Sequence, residues 1–227
     1  MFTFPPPPIP SLAVLGTEAR FPLRRIFCVG RNYAEHAREM GADPEREPPF
    51  FFTKPHDAAV GGGAVIPFPP ATANLHHEVE LVVALGQGGR DIPVASALAC
   101  VFGYAVGVDL TRRDLQAAAK AKGQPWDMAK GFDHSAPVGR ITPADGGWRP
   151  EAGAIWLKVN EEERQRGDLA ELIWRVPEVI AHLSGLVALA PGDLIFTGTP
   201  AGVGPLRPGD QVHCGIQGLE DLAFRLG

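Results

Sequence analysis

The sequence predicts a β-rich α+β fold built as one packed unit. Its 227 residues include 27 glycines and 23 prolines, which favour many turns and short strands over long helices. Hydrophobic residues make up 45% and charged residues 21% of the chain, as in ordinary globular proteins. A chain of this length can bury a sizeable core, and we find no internal repeat.

Composition also excludes several classes of partner. The net charge is −5, so no electrostatic attraction to nucleic acid is evident. No apolar run reaches the roughly 18 residues that a membrane helix needs, and the N-terminus lacks the pattern of a secretory signal. Three widely spaced cysteines, Cys28, Cys100 and Cys214, favour a reducing compartment. We therefore expect a cytoplasmic protein that binds neither nucleic acid nor membranes.

The first half of the chain is predicted to contain mostly strands. Residues 1–23 should form a proline-rich arm with a short hairpin over 12–21, ahead of a single domain over 24–227. We predict strands over 26–29, 50–53 and 78–85, because these runs are apolar and are bounded by turn residues. A helix over 32–40 is expected to end at Gly41, with Pro44 beyond it.

The second half is predicted to alternate between helices and strands. A short helix over 95–99 precedes a strand over 101–108, and a helix over 111–122 follows with Asp109 or Thr111 as its N-cap. A hairpin joins 154–159 to 163–167, and Pro177 begins a helix that runs to about residue 186. Strands over 194–197 and within 210–226 should close the fold.

The segment His76-His77-Glu78-Val79-Glu80 is the strongest chemical signal. On a strand, Glu78 and Glu80 point to the same face, and two adjacent carboxylates repel each other unless a cation lies between them. With Asp109 from a second strand end, they would form an all-oxygen site suited to Mg²⁺ or Mn²⁺. The alternative is a solvated face on an edge strand, although Val82 and Ala84 continue that face.

The segment that follows offers an anion-binding group. Asp109, Arg113 and Gln116 are spaced i, i+4 and i+7, which would place them on one helical face. Arg113 and Gln116 could then hold a carboxylate beside the metal. The alternative is an exposed Asp–Arg pair, which contributes little.

Other candidates are individually weaker. His36 and Glu39 are spaced i, i+3, and a carboxylate beside a histidine can orient it to activate water. The alternative is that both are solvated, as His and Glu on a polar helix usually are. Lys130 lies among apolar and small residues and could stabilise an anion, whereas Lys54 is a weaker candidate. Thr199 belongs to a glycine-rich turn that lacks the P-loop pattern.

Taken together, these motifs resemble the fumarylacetoacetate hydrolase superfamily. The matching segments are CVGRNYAEH at 28–36, HHEVE at 76–80, AKGFD at 129–133 and TGTP at 197–200. Their order and spacing are similar to those of its small members, the acylpyruvases and fumarylpyruvate hydrolases. One departure is Asn160-Glu161, where many relatives have an Asn-Gly hairpin turn, so the turn type there is left open.

The resemblance implies a mixed β-roll of the fumarylacetoacetate hydrolase C-terminal-domain type, assembled as a homodimer. It implies one Mg²⁺ or Mn²⁺ bound by Glu78, Glu80 and Asp109. The resemblance also implies roles for six further residues. His36 and Glu39 would lie on a lid helix and activate water, and Lys130 would lie beside a developing enolate. Arg113, Gln116 and Thr199 would bind the keto-acid end of the substrate, where Lys54 is an added candidate.

The implied reaction is hydrolysis of a 2,4-diketo acid, with fumarylpyruvate giving fumarate and pyruvate in aromatic-acid (gentisate) breakdown. The distal carboxylate of that substrate needs a further cation, for which Arg31, Arg38, Lys120 and Lys122 are the candidates. The alternatives on the same metal site are oxaloacetate decarboxylation and isomerisation of a 2-hydroxy-dienedioate. A non-catalytic binding protein is the remaining alternative.

Overall fold

The structure, a computed structural model, describes residues 1–39 and 47–227. Short strands dominate it. In chain order the strands are β1 (Ser11–Ala13), β2 (Arg20–Pro22), β3 (Arg25–Gly30), β4 (Phe50–Lys54), β5 (Ala59–Gly61), β6 (Val65–Ile66), β7 (Leu75–His77), β8 (Val79–Leu85), β9 (Val101–Val108), β10 (Thr111–Arg112), β11 (Ala136–Val138), β12 (Thr142–Pro143), β13 (Ala154–Val159), β14 (Glu162–Asp168), β15 (Asp193–Phe196), β16 (Gly204–Leu206), β17 (Gln211–Ile216) and β18 (Leu222–Leu226). The α-helices are α1 (Ala34–Glu39), α2 (Val94–Ala97), α3 (Arg113–Ala121), α4 (Asp127–Lys130) and α5 (Val176–Leu186).

The strands form a curled half-barrel around the core. An eight-stranded sheet has the order β4-β3-β15-β8-β9-β11-β5, with β12 also paired to β9, and a five-stranded sheet has the order β14-β13-β17-β18-β6. A three-stranded sheet, β10-β7-β16, and the β1-β2 hairpin complete the fold. Parallel pairs occur within antiparallel sheets, as at β3-β15 and β6-β18. The predicted β-rich α+β fold with a mixed sheet is confirmed.

Strand β8 lies in the middle of the large sheet and separates two apolar cores. All seven of its residues are buried. The side chains of Val79, Leu81, Val83 and Leu85 enter the larger core, and those of Val82 and Ala84 enter the smaller one. This alternation is the predicted one. Because β8 is paired on both sides, the solvated edge-strand alternative is wrong.

The N-terminal hairpin packs against the rest of the fold. Strands β1 and β2 pair as predicted, and Leu12, Val14, Phe21 and Leu23 are buried in the smaller core. Residues 1–9, in contrast, are exposed. The apolar packing therefore begins near residue 11, and the domain boundary at residue 24 stays a prediction.

The predicted start of the helix after β9 is wrong. Thr111 pairs with His76 in an antiparallel ladder, so the chain is still extended there and α3 begins only at Arg113. Neither Asp109 nor Thr111 caps it; Arg112 occupies that position without a side-chain hydrogen bond. Asp109 consequently lies at the end of a strand, and only Arg113 and Gln116 share a helical face.

Two further local predictions have different outcomes. The helix predicted over 32–40 is present as α1, while its end at Gly41 and Pro44 lies outside the described residues. At the β13-β14 hairpin, Asn160 and Glu161 both have positive φ, at 49° and 67°. These are the backbone signs of a type I′ turn, so the turn geometry is kept although a glutamate stands at its second position.

None of the helices in the described ranges could cross a membrane.

Candidate metal centre and active site

Three buried carboxylates meet at one end of the large sheet. Glu78 directly precedes β8, Glu80 lies within it, and Asp109 directly follows the neighbouring β9. The backbone N–H of Asp109 donates to the Glu78 carbonyl at 2.8 Å, which continues the β8-β9 ladder. Each residue offers an oxygen within 4.8 Å of the others. The structure thus brings together Glu78 and Glu80, which strand periodicity had grouped, and Asp109, which was predicted to join them from a second strand end.

The surroundings of Glu80 and Glu78 shift the pKa values of these two buried carboxylates in opposite directions. For Glu80, burial raises the pKa well above its usual range, and the neighbouring charges of Asp109 and Glu78 raise it further. For Glu78, burial also opposes ionisation, but Lys130 and Arg113 outweigh it and hold the pKa below its usual range. Crowded carboxylates of this kind are stabilised when a cation binds between them.

Two lysines and one arginine surround the three carboxylates. Lys130 Nζ donates to Glu78 Oε2 at 2.8 Å and to Asp109 Oδ2 at 2.6 Å. The pKa of Lys130 is raised, because these two carboxylates outweigh the opposing effect of burial. Arg113 binds the other oxygen of Glu78. Three positive side chains, counting Lys54, therefore balance the three carboxylates.

Lys54 lies behind the cluster rather than in the cleft. Its ammonium group is fully buried, lies 2.8 Å from Asp109 Oδ1 and donates to the backbone carbonyls of Leu110 and Lys130. It is absent from the residues that line the cleft. This geometry does not support the sequence-based placement of Lys54 at the substrate, because its ammonium group is buried against Asp109 and two backbone carbonyls.

The cluster fits a divalent metal of the magnesium type. Asp109 Oδ1 is buried and makes no hydrogen bond with the described residues, since Lys54 approaches it outside hydrogen-bonding geometry. The ligand set is all oxygen, which suits Mg²⁺ or Mn²⁺ better than Zn²⁺. Glu78, Glu80 and Asp109 could hold such an ion, and Lys130 would lie directly beside it.

Arg113 and Gln116 lie on the adjoining face of α3. Arg113 Nη1 donates to Gln116 Oε1 at 2.6 Å, which fixes the amide group of Gln116. The amide nitrogen of Gln116 makes no hydrogen bond within the described part of the chain, and both residues line the cleft. They are therefore positioned to donate to an anionic ligand, as their spacing predicts.

His36 and Glu39 form a hydrogen-bonded pair on α1. His36 Nδ1 lies 3.1 Å from Glu39 Oε2, and the same carboxylate accepts from the backbone N–H of Gly202 at 3.3 Å. His36 is buried and lines the cleft together with the three carboxylates. If Nδ1 carries the proton that Glu39 accepts, Nε2 is left as a free base.

Gln165 orients Thr199, and sequence analysis did not identify it. Its amide nitrogen donates to Thr199 Oγ1 at 2.8 Å and to the Pro200 carbonyl at 2.9 Å. Its amide oxygen accepts from the Val79 N–H at 3.1 Å and faces His77 Nδ1 at 2.9 Å. Thr199 Oγ1 thus accepts from Gln165, and its own hydrogen is free to donate into the cleft.

The turn after β15 supports the metal cluster from the other side. The Gly198 N–H donates to Glu80 Oε2 at 2.6 Å, and Gly198 has a φ of 102°. A Cβ atom there would lie 2.6 Å from the Asn32 Cβ. Asn32 in turn donates to the carbonyls of Thr197 and Trp174. Hydrogen bonds and close packing therefore fix this turn relative to Glu80 and to Asn32, just before α1.

The cleft also has an apolar side and two cations at its margin. Phe50, Phe52 and Trp126 line it, as do Arg31 and Lys120. The other two basic residues proposed for a distal carboxylate are not among the lining residues: Arg38 pairs with Glu35 on the exposed face of α1, and Lys122 follows α3.

Comparison with known proteins identifies the family. The family model described as fumarylacetoacetate (FAA) hydrolase C-terminal matches residues 25–226. The chain belongs to this family. Members of the family are enzymes, and the matched region contains the three buried carboxylates.

Two structures of relatives are similar over the whole chain. A fumarylpyruvate hydrolase from Pseudomonas aeruginosa, crystallised with Mn²⁺ and pyruvate, is 50% identical and covers 100% of this chain and 99% of its own, with a TM-score of 0.97. A putative fumarylpyruvate hydrolase from Burkholderia cenocepacia is 55% identical, with a TM-score of 0.94 and coverage of 100% and 95%.

A curated relative has a different activity. The mitochondrial oxaloacetate tautomerase FAHD1 of Mus musculus is 44% identical over 203 residues, which cover 89% of this chain and 91% of that protein. The family therefore supports a hydrolase or an isomerase, and a divalent metal is consistent with both the Mn²⁺ in the Pseudomonas relative and the buried carboxylates.

Proposed function

We propose that the protein is a metal-dependent hydrolase that cleaves the C3–C4 bond of 2,4-diketo acids, with fumarylpyruvate giving fumarate and pyruvate. The observation that carries this proposal is the His36–Glu39 pair, which lines the same cleft as the three carboxylates. Hydrolysis needs an activated water beside the metal-binding residues, and this pair is suited to supply it.

The charges around the cleft support an anionic substrate. Glu78, Glu80 and Asp109 are already balanced by three positive side chains, so a bound divalent cation leaves the site with net positive charge. Electrostatic attraction then favours acids over neutral ketones. Gln116 and Thr199, whose side-chain donors make no hydrogen bond with the described residues, are proposed to hold the keto-acid end of the substrate together with Arg113.

The chemistry can be written for the residues of this chain. A bound Mg²⁺ or Mn²⁺ would supply a Lewis acid for the substrate oxygens. His36 accepts a proton from water at Nε2 while Glu39 holds Nδ1, and the water oxygen attacks the C4 carbonyl. The C3–C4 bond breaks, its electron pair stays with the pyruvate fragment as an enolate, and the proton taken up by His36 is then returned to C3. Lys130 stabilises the negative charge, and Lys54 holds Asp109 in place.

Oxaloacetate tautomerisation is the second candidate, and the 44% identity to the Mus musculus tautomerase favours it. That reaction moves one proton between carbon and oxygen, so it needs no water and could use the same lysine and histidine. Decarboxylation of oxaloacetate and isomerisation of a 2-hydroxy-dienedioate would also keep the metal-binding residues. We further propose a cytoplasmic homodimer that acts in gentisate breakdown.

Parallel assays distinguish these activities. Fumarylpyruvate, acetylpyruvate and oxaloacetate would be offered to the Mg²⁺-loaded and Mn²⁺-loaded protein, with pyruvate and the enol and keto forms of oxaloacetate quantified separately. The proposal predicts EDTA-sensitive release of one pyruvate per acylpyruvate consumed. Enol–keto exchange of oxaloacetate without acylpyruvate cleavage would instead assign the tautomerase.

A further inference from the structure

The apolar side of the cleft is a continuous aromatic wall. Phe50 and Phe52 are two residues apart on β4, so their side chains leave the same face of the strand. The ring of Trp126 contacts both, with centroids 5.6 Å from Phe50 and 6.2 Å from Phe52. All three rings line the cleft. A flat, unsaturated or aliphatic segment of a ligand would pack well against this wall.

A cation lies at each end of this wall. Lys130 Nζ is 5.0 Å from the centre of the Phe52 ring, and the same ammonium binds the carboxylate cluster. At the other end, Arg31 Cζ is 5.1 Å from the centre of the Phe50 ring. Phe50 and Phe52 are separated by one strand repeat, about 7 Å, so the two cations lie against different rings of the wall.

The position of Arg31 is specified by its surroundings. A Cβ atom on Gly30 would lie 2.0 Å from Phe50 Cζ, so the ring packs directly on the backbone next to Arg31. Arg31 itself has a φ of 56°, a left-handed conformation that costs energy for any residue except glycine. Among the described residues it forms no ion pair with a carboxylate, so its charge is available. Such strained positions often serve function.

We propose that Arg31 binds the distal carboxylate of an elongated 2-keto diacid whose keto-acid end lies at the metal cluster. This inference rests on the proposed function for the orientation of the ligand. The carboxyl carbons of an extended seven-carbon diacid are about 7 Å apart, which is comparable with the spacing of Phe50 and Phe52 along β4. A four-carbon diacid is roughly half as long and spans only part of that length. The site therefore selects fumarylpyruvate-like diacids over oxaloacetate and monoanionic acylpyruvates.

A charge-removing variant tests this assignment. Arg31→Asn is suitable because asparagine tolerates the left-handed conformation, so the fold should be kept. Arg38→Asn is the matched control, since Arg38 pairs with Glu35 and does not line the cleft. Lys120→Gln tests the competing cation, which lines the cleft but is exposed on α3. Steady-state kinetics with fumarylpyruvate and acetylpyruvate would be compared for all four proteins.

We expect Arg31→Asn to weaken binding of the diacid substrate and to leave binding of the monoacid substrate nearly unchanged. Arg31→Asn should raise KM for fumarylpyruvate about tenfold or more, as for loss of a charged hydrogen bond, and should leave KM for acetylpyruvate within about twofold. Equal changes for both substrates, or an effect carried by Lys120→Gln alone, would overturn the assignment while hydrolysis by the wild type still supported the proposed function.

A binding assay makes the inference independent of turnover. Calorimetry in the presence of Mn²⁺ would compare 2-oxoheptanedioate with 2-oxoheptanoate, which are not 2,4-diketones and differ only in the distal carboxylate. We expect the wild type and Arg38→Asn to bind the diacid about tenfold more tightly and Arg31→Asn to lose that preference. If the wild type binds both equally, the proposed subsite is wrong, whichever reaction the enzyme catalyses.

Discussion

His36 is the residue that we propose as the base that activates water for hydrolysis. It lines the cleft without belonging to the three-carboxylate cluster, and its Nδ1 is held by Glu39. The proposed general base would contribute to the chemical step but not to holding the metal. Its removal should therefore separate catalysis from metal binding.

We predict that His36→Gln lowers kcat for acylpyruvate hydrolysis by about 10²–10⁴-fold, the usual contribution of a general base. Binding of Mn²⁺, followed by electron paramagnetic resonance, should be unchanged. His213→Gln is the control, because His213 is partly exposed on β17 and pairs with Asp221. Hydrolysis near the wild-type rate in His36→Gln would remove His36 from the mechanism.

Gln165 should matter for both stability and substrate binding. Gln165→Leu leaves buried partners such as Thr199 Oγ1 and the Val79 N–H without their hydrogen bonds, which should cost about 3 kcal/mol and lower Tm by roughly 6–12 °C. Because Thr199 is no longer oriented, KM for the keto acid should rise more than kcat falls. Scanning calorimetry and kinetics would measure both.

The comparison variant for Gln165 is Gln211→Leu, on the exposed edge of β17. Its Tm should change little, since exposed substitutions are usually within about 0.5 kcal/mol. A fall in Tm without any change in KM for Gln165→Leu would limit Gln165 to a structural role.

The sequence identified the residues that carry local signals and missed those that act through distant contacts. Glu78 and Glu80 were grouped because side chains alternate along a strand, and β8 has that alternation. Gln165, in contrast, lies in the polar strand β14, whose other residues are exposed or only partly buried. Its partners belong to segments 34 and 88 residues away, so neither pattern nor spacing could indicate its role.

The turn that follows β15 joins the metal cluster to α1. Gly198 is placed there both by its positive φ and by its contact with Asn32, and its N–H supports Glu80. An added side chain would push the turn away from both neighbours. We therefore expect this turn, in addition to the three carboxylates, to influence metal affinity.

We predict that Gly198→Ala destabilises the protein and weakens Mn²⁺ binding. Gly209→Ala is the matched control, because Gly209 has a φ of 91° but no atom within 4 Å of an added Cβ. Both variants carry the cost of a left-handed alanine, about 1–2 kcal/mol, and Gly198→Ala should cost about 2 kcal/mol more through crowding. Urea unfolding that gives equal losses would contradict the packing argument.

Elements with strong local signals were predicted well, and those set by tertiary pairing were not. The strand predicted over 101–108 is β9 without any shift, because its apolar run is bounded by turn residues. The helix predicted from residue 111 begins later, since Thr111 pairs with His76 on β7. That pairing joins segments about 35 residues apart, and helical composition gives no sign of it.

At the scale of the whole molecule, the fold brings residues from five separate segments to one cleft. The order of the large sheet places β15 between β3 and β8, although these strands are far apart in sequence. Composition and periodicity predicted the class of fold, and motif resemblance predicted the architecture. The strand order and the three-cation balance around the carboxylates required the three-dimensional structure, because both depend on non-local contacts.

The proposed hydrolysis requires one divalent metal bound by Glu78, Glu80 and Asp109. The most direct test is to titrate EDTA-treated protein with Mn²⁺ while recording bound metal and acylpyruvate hydrolysis in the same samples. We predict no hydrolysis without metal, activity that rises in proportion to occupancy up to one Mn²⁺ per chain, and loss of both in Glu80→Gln. Full activity in metal-free protein, or undiminished metal binding by Glu80→Gln, would contradict the account.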